Sequence, residues 1–186
     1  MMGKNVMGLL CGAILLAASP ALAQTEAAPA AAGPTDPQIA AIVVTANQVD
    51  IDAAKLAKSR TKNKDVKAFA ETMIRDHSAV NKQATDLVKK LKVKPEANDT
   101  SKALKEGGKK SDAELKKLKG AAFDKAYVDH EVAYHQQVID AINNVLVPNA
   151  KNAELKDLLV KVTPAFNAHL EHAKKLQAEL AAAPAK

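Results

Sequence analysis

Four stretches of this chain carry apolar residues in alternating steps of three and four. The first is Ile39, Ile42, Ala46, Val49, Ala53 and Leu56; the second is Val66, Ala70, Met73, His77, Val80, Ala84, Leu87 and Leu91. The third is Val128, Glu131, His135, Val138, Ile142 and Val145, and the fourth is Leu155, Leu159, Val162, Phe166, His169, Ala173, Leu176 and Leu180. A seven-residue repeat holds one face of a helix against a partner over many turns, so the chain is committed to long helices packed along their lengths. Seven Gly and eight Pro among 186 residues are too few to punctuate a β-sandwich or barrel. The 38 alanines and the absence of Trp predict a thin, close-packed core.

Local signals set the expected boundaries. Thr35-Asp36-Pro37 pairs a capping residue with an early proline and opens a helix from Pro37 to Arg60. Asn63 caps a second helix reaching Val93, and Lys94-Pro95 ends it. From Lys94 to Lys110 no period is sustained, and the stretch reads as a connection. Ser111-Asp-Ala-Glu114 has the form of a capping box and opens a short helix to Lys119, stopped by Gly120. A third long helix runs from Ala122 to Leu146, closed by Pro148, and a fourth from Asn152 to Ala181, which Pro164 is expected to kink. Two short connections and one long central one predict an all-α fold, a ferritin-like antiparallel four-helix bundle over residues 37–181 with a crossover at 94–120 containing the short helix.

The first 23 residues read as a cleavable signal peptide: Lys4, an apolar run from Val6 to Ala18, then Ser19-Pro20 and the small-x-small site Ala21-Leu22-Ala23. Cleavage is expected between Ala23 and Gln24, with export to the periplasm. The run is shorter than the ~20 residues that span a bilayer, and no later segment is apolar enough to cross, so any envelope association of the mature chain is peripheral. Cys11, the one cysteine, leaves with the signal, and thiolate chemistry leaves with it. Residues 24–36 read as a flexible Ala/Pro-rich leader and 182–186 as a disordered tail. The 27 basic residues exceed the 21 acidic ones, but they are nearly all Lys and no aromatics interleave with them. That pattern describes a solvated face rather than a nucleic-acid surface.

Polar residues inside the stripes carry whatever function is internal. His77, His135 and His169 occupy core positions on three different helices, and Glu131 lies one turn before His135 on the same face. Asp50, beside Val49 at the edge of the first stripe, is a secondary candidate. Counted from the hairpin loops, Asp50 and His77 are within about one turn of each other in height, as are Glu131 and His169. An unpaired buried polar group costs ~1–3 kcal/mol, so these residues either satisfy one another or bind something. One reading is a metal site with imidazole and carboxylate ligands for Zn, Cu, Fe or Mn; the other is a hydrogen-bonded His/Glu/Tyr network that fixes helix register. Diiron proteins of this topology use Glu-x-x-His pairs, and none occurs here, which argues against oxygen chemistry more than against metal binding. Asp76-His77 and Asp129-His130 are adjacent helical residues that do not face each other, and both aspartates read as solvated. Tyr127 and Tyr134 read as core.

Three segments, VKAFAETMIRDHSAVN (Val66 to Asn81), FDKAYVDHEVAYHQ (Phe123 to Gln136) and TPAFNAHLEHAKKL (Thr163 to Leu176), resemble the bacterial "domain of unknown function 4142" family. Its members are labelled outer-membrane proteins and are assigned to the ferritin-like superfamily. The resemblance covers nearly all of Ile39 to Leu180 and implies an exported four-helix bundle, but no reaction. The family's recurring histidines match His77, His135 and His169; where relatives commonly have Glu on the first helix, this chain has the shorter Asp50. Three functions follow in order: an exported bundle binding a metal or small ligand through its core His/Glu set, a non-catalytic envelope or stress-related interaction protein with structural histidines, and a metal-dependent redox enzyme.

Overall fold

The computed structural model describes residues 33–182. The expected signal peptide, its cleavage site, the leader up to residue 32 and the tail from residue 183 lie outside the described residues. Among those described, the regular elements are all helical: α1 (Asp36–Arg60), α2 (Lys64–Lys90), α3 (Asp99–Lys117), α4 (Gly120–Ala141) and α5 (Ala153–Ala182). Beyond Ala141 the α4 ladder widens into a π turn, Ile142–Leu146, and ends in one turn, Val147–Asn149, around Pro148. None of these helices is long and apolar enough to cross a membrane.

Polar contacts at the two ends give the direction of every helix. At one end the Asp36 carboxylate accepts from the backbone amides of Lys151 and Asn152 (2.8 and 2.9 Å), the Glu96 amide donates to the Pro37 carbonyl (3.0 Å), and Lys90 pairs with Glu154. At the other end Arg60 donates to the carbonyls of Lys116 and Leu118 (3.1 and 2.7 Å) and lies over the Phe123 ring. Helices α1, α3 and α5 therefore run one way, and α2 and α4 the other. The pairs are α1 with α2 and α4 with α5, closed by α1 against α4 and α2 against α5, so every neighbour in the four-helix bundle is antiparallel. Helix α3 carries the chain back along the outside of α1 and α4, which is the ferritin-like arrangement.

The crossover differs from expectation. A helix of 19 residues, not a short one from Ser111, fills it, and it starts where Asn98 and Ser101 exchange side-chain-to-amide hydrogen bonds (2.9 and 3.0 Å). Ser111 to Glu114 lie inside that helix. The reason no period was visible is that α3 sits on the surface and fully buries only Ser101 and Leu115. Gly107-Gly108 does not break it. A Cβ at Gly108 would stand 2.8 Å from both Val49 methyls, so that glycine permits the close approach of α3 to α1. Helix α5 runs through Pro164 as one element.

The apolar interior has two parts. Ile39, Ile42, Val80, Ile139, Leu155, Leu159 and Phe166 lead the cluster toward the Asp36 end. Ala54, Ala57, Phe69, Met73, Phe123, Tyr127 and Leu176 lead the one toward the Arg60 end. In sequence, Asn47, Asp50, His77, Glu131 and His135 fall between the two sets, His169 lies at their junction on α5 one residue before Leu170 of the first set, and all six are buried.

Candidate metal centre

The four long helices each deliver part of this polar layer: Asn47 and Asp50 from α1, His77 from α2, Glu131 and His135 from α4, and His169 from α5. The three imidazole centroids are mutually 5.3–5.5 Å apart. One nitrogen from each ring can be chosen so that all three lie within 4.8 Å of one another, and Asp50, Glu131 and His135 form a second such group.

Each ring has one nitrogen held from outside, and the partner decides the tautomer. Asn47 donates through Nδ2 to the Val43 carbonyl (2.8 Å), which leaves its Oδ1 to accept from His77 Nδ1 (2.8 Å). His135 Nδ1 donates to the carbonyl of Glu131 (3.0 Å), and His169 Nε2 to the carboxylate of Asp76 (3.0 Å). The remaining nitrogens, His77 Nε2, His135 Nε2 and His169 Nδ1, are buried, carry lone pairs and have no hydrogen-bond partner. Both oxygens of Asp50 are in the same condition. Asp50 Oδ2 lies 3.4 Å from His77 Nε2 and 3.6 Å from His135 Nε2. Two ligands bound tetrahedrally at ~2.0–2.1 Å stand about 3.4 Å apart, so these spacings fit atoms sharing an ion better than atoms sharing a proton.

Electrostatics point the same way. Burial, then the neighbouring His135 and His169, push the His77 imidazole well below its usual range, which keeps it neutral. Burial lowers His169 against the opposing effect of its hydrogen bond to the Asp76 carboxylate. Burial and the Glu131 charge drive Asp50 well above the carboxylate range. Glu131 is pushed up to about 8 by burial, with the Tyr127 hydroxyl opposing. Two imidazoles pushed down and two buried carboxylates pushed up describe a pocket lacking positive charge.

The two carboxylates thus have different places. Asp50, the secondary candidate in the sequence, faces the unpartnered nitrogens, whereas Glu131 Oε2 lies 3.3 Å from His135 Nδ1, on the side already held. Sequence reasoning missed Asn47 and Asp76. Asp76 does not face His77, as expected of adjacent helical residues, but it reaches across to α5. His130 stacks on Tyr134 and meets Ser111 of α3, and His172 packs edge-on to Phe69; neither joins the layer. Tyr127 and Tyr134 are buried, the latter donating to the Ala46 carbonyl (2.9 Å).

Comparison with curated proteins gave no match. Among solved structures the chain is similar to a DUF305 protein from Streptomyces coelicolor, described as secreted, with a TM-score of 0.67 and 13% identity over 80% of this chain and 95% of that one. At that identity the likeness speaks to the fold. The family described as "Domain of unknown function (DUF4142)" matches residues 21–176, most of the sequence, and the chain belongs to it.

Proposed function

We propose that this is an exported protein that binds one transition-metal cation in the core of its bundle, through His77 Nε2, His135 Nε2, His169 Nδ1 and an Asp50 oxygen. The observation that carries the reading is the grouping of three imidazoles, one nitrogen of each within 4.8 Å of the others, with Asp50 Oδ2 against two of them, every ring keeping one buried nitrogen without a partner while its other nitrogen is held from outside. That division between an inward ligand atom and an outward hydrogen bond is the usual dress of a metal-bound histidine. A purely structural network needs a donor between its acceptors, and the nearest one, a protonated Asp50, stands 3.4 and 3.6 Å from two of these nitrogens, longer than an ordinary hydrogen bond of this kind.

Three imidazoles and one carboxylate suit Zn2+, Cu2+ or Fe2+, with the affinity order favouring Cu2+. Asn47, the Glu131 carbonyl and Asp76 fix the rings before binding, and the two apolar clusters exclude water from either side. Export rests on the charged, apolar and small-residue pattern of residues 1–23, and the secreted relative of like fold agrees with it.

Metal analysis of untagged protein, with calorimetric titration by Zn2+, Cu2+, Fe2+ and Mn2+, tests the reading. One equivalent bound, lost in His169→Ala and kept in His130→Ala, is expected. Absence of uptake together with no thermal shift would refute it, and equal losses in the two variants would show that the wrong face has been chosen.

A further inference from the structure

The layer has one edge toward solvent. The side chains of Asp50, Glu131, His135 and His77 are 0%, 1%, 1% and 4% exposed, and His169 reaches 7%. Asp76, hydrogen-bonded to His169, is 32% exposed. The other two outward partners are sealed: Asn47 is buried, and the Glu131 carbonyl belongs to a residue that is itself buried. Helix α3 packs on α1 and α4, so the seam between α2 and α5, where Asp76 meets His169, is on the side it leaves uncovered. Arg75 lies on Asp76 there, with Nε 2.8 Å from Oδ1 and Nη2 3.2 Å from Oδ2, and its own side chain is 70% exposed.

Resting on the metal reading above, we propose that the ion enters and leaves by this seam, with Asp76 as the capturing carboxylate and Arg75 as its removable competitor. A cation in solution meets one carboxylate that is both accessible and in contact with an inner ligand. To bind, it displaces the Arg75 guanidinium, which is held only by an exposed, screened pair. From Asp76 the ion passes the edge of the His169 ring to its unpartnered Nδ1, and so to His77, His135 and Asp50, while Nε2 keeps its proton and its bond to Asp76. Such a route makes the bound ion exchangeable, suited to a carrier or buffer rather than to a permanently sealed structural metal.

Stopped-flow Zn2+ uptake, and release to an excess of chromogenic chelator, test this on the full chain. For a residue on the route, Asp76→Asn, whose amide oxygen can still accept from His169 Nε2 and hold the ring, slows uptake by about tenfold and slows release as well, because a path is traversed in both directions. Arg75→Ala, a surface change with no part in the core, speeds both several-fold. A residue that only orients His169 behaves otherwise: Asp76→Asn then raises Kd through faster release at an unchanged uptake rate, and that result overturns the proposal. Unchanged rates in both variants overturn it too while leaving the metal reading intact, whereas no uptake by the unaltered protein removes both.

Discussion

Gly107 and Gly108 are neighbours in one exposed helix, and replacing each by alanine should move stability in opposite directions. Either change adds helix propensity worth about 1 kcal/mol. At Gly107 nothing lies within 4 Å of the added carbon, so Gly107→Ala should realise that gain. At Gly108 the new Cβ meets both Val49 methyls at 2.8 Å, well inside the ~3.5–4.0 Å of an ordinary carbon contact. Valine is stiff at χ1, so relief requires α3 to move off α1, a strain of ~1–3 kcal/mol. The two variants should therefore differ by about 2 kcal/mol, which for a chain of this size separates their Tm values by roughly 5 °C. Thermal melts followed by far-UV circular dichroism would read this directly. Val49→Ala should largely rescue Gly108→Ala, since it removes the methyls that clash and leaves only the Cβ of residue 49, at 3.3 Å, against the new carbon. Equal shifts for both variants, or no rescue, would refute the packing argument. Because Val49 adjoins Asp50, Gly108→Ala should also weaken cation binding while Gly107→Ala leaves it unchanged.

Other consequences are as direct. Asp36→Ala deletes two charge-assisted bonds to the Lys151 and Asn152 amides where α5 begins, and urea melts should show a loss of about 1–2 kcal/mol, with no measurable loss counting against the contact. Glu131 holds its proton to about pH 8 when folded but only to its ordinary value of 4.5 when unfolded. Its favourable contribution is therefore full below pH 4.5 and is lost as pH rises through 8, so Glu131→Gln should be the more stable protein at pH 8 by up to ~4 kcal/mol when metal-free, and should converge with the parent near pH 4.5. A urea midpoint that keeps the same pH slope in both proteins would contradict this. Asn47→Ala frees the His77 ring to take the wrong tautomer, and calorimetry should find metal affinity reduced about 10–100-fold; unaltered affinity would mean that Asn47 orients nothing.

The heptad stripes revealed the long helices and turned three histidines inward, because both facts depend on periodicity alone. Helix α1 was read less completely. It is covered by α2, α3 and α4, so a second series, Val43, Asn47, Asp50, Ala54 and Ala57, is buried beside the first in the same four-three spacing. Reading that series would have found Asn47 and raised Asp50 above the edge of the face. Asp76 was invisible for a different reason: its partner lies 93 positions away on α5, and only the docking of the two hairpins brings them together. Helix α3 escaped because burying two residues in 19 leaves no periodic mark.

The polar layer also separates the two apolar clusters, and that has a bearing on how the bundle holds together. Neither cluster contains a disulfide, and among the described apolar side chains only the partly buried Val132 packs against both. A cation there would act as a cross-link joining residues 50, 77, 135 and 169, and so would close chain segments of tens of residues that nothing covalent constrains. Its binding free energy would be added to folding. Without it, the two ends of the bundle should open with some independence, and hydrogen exchange would show a protected whole become two halves.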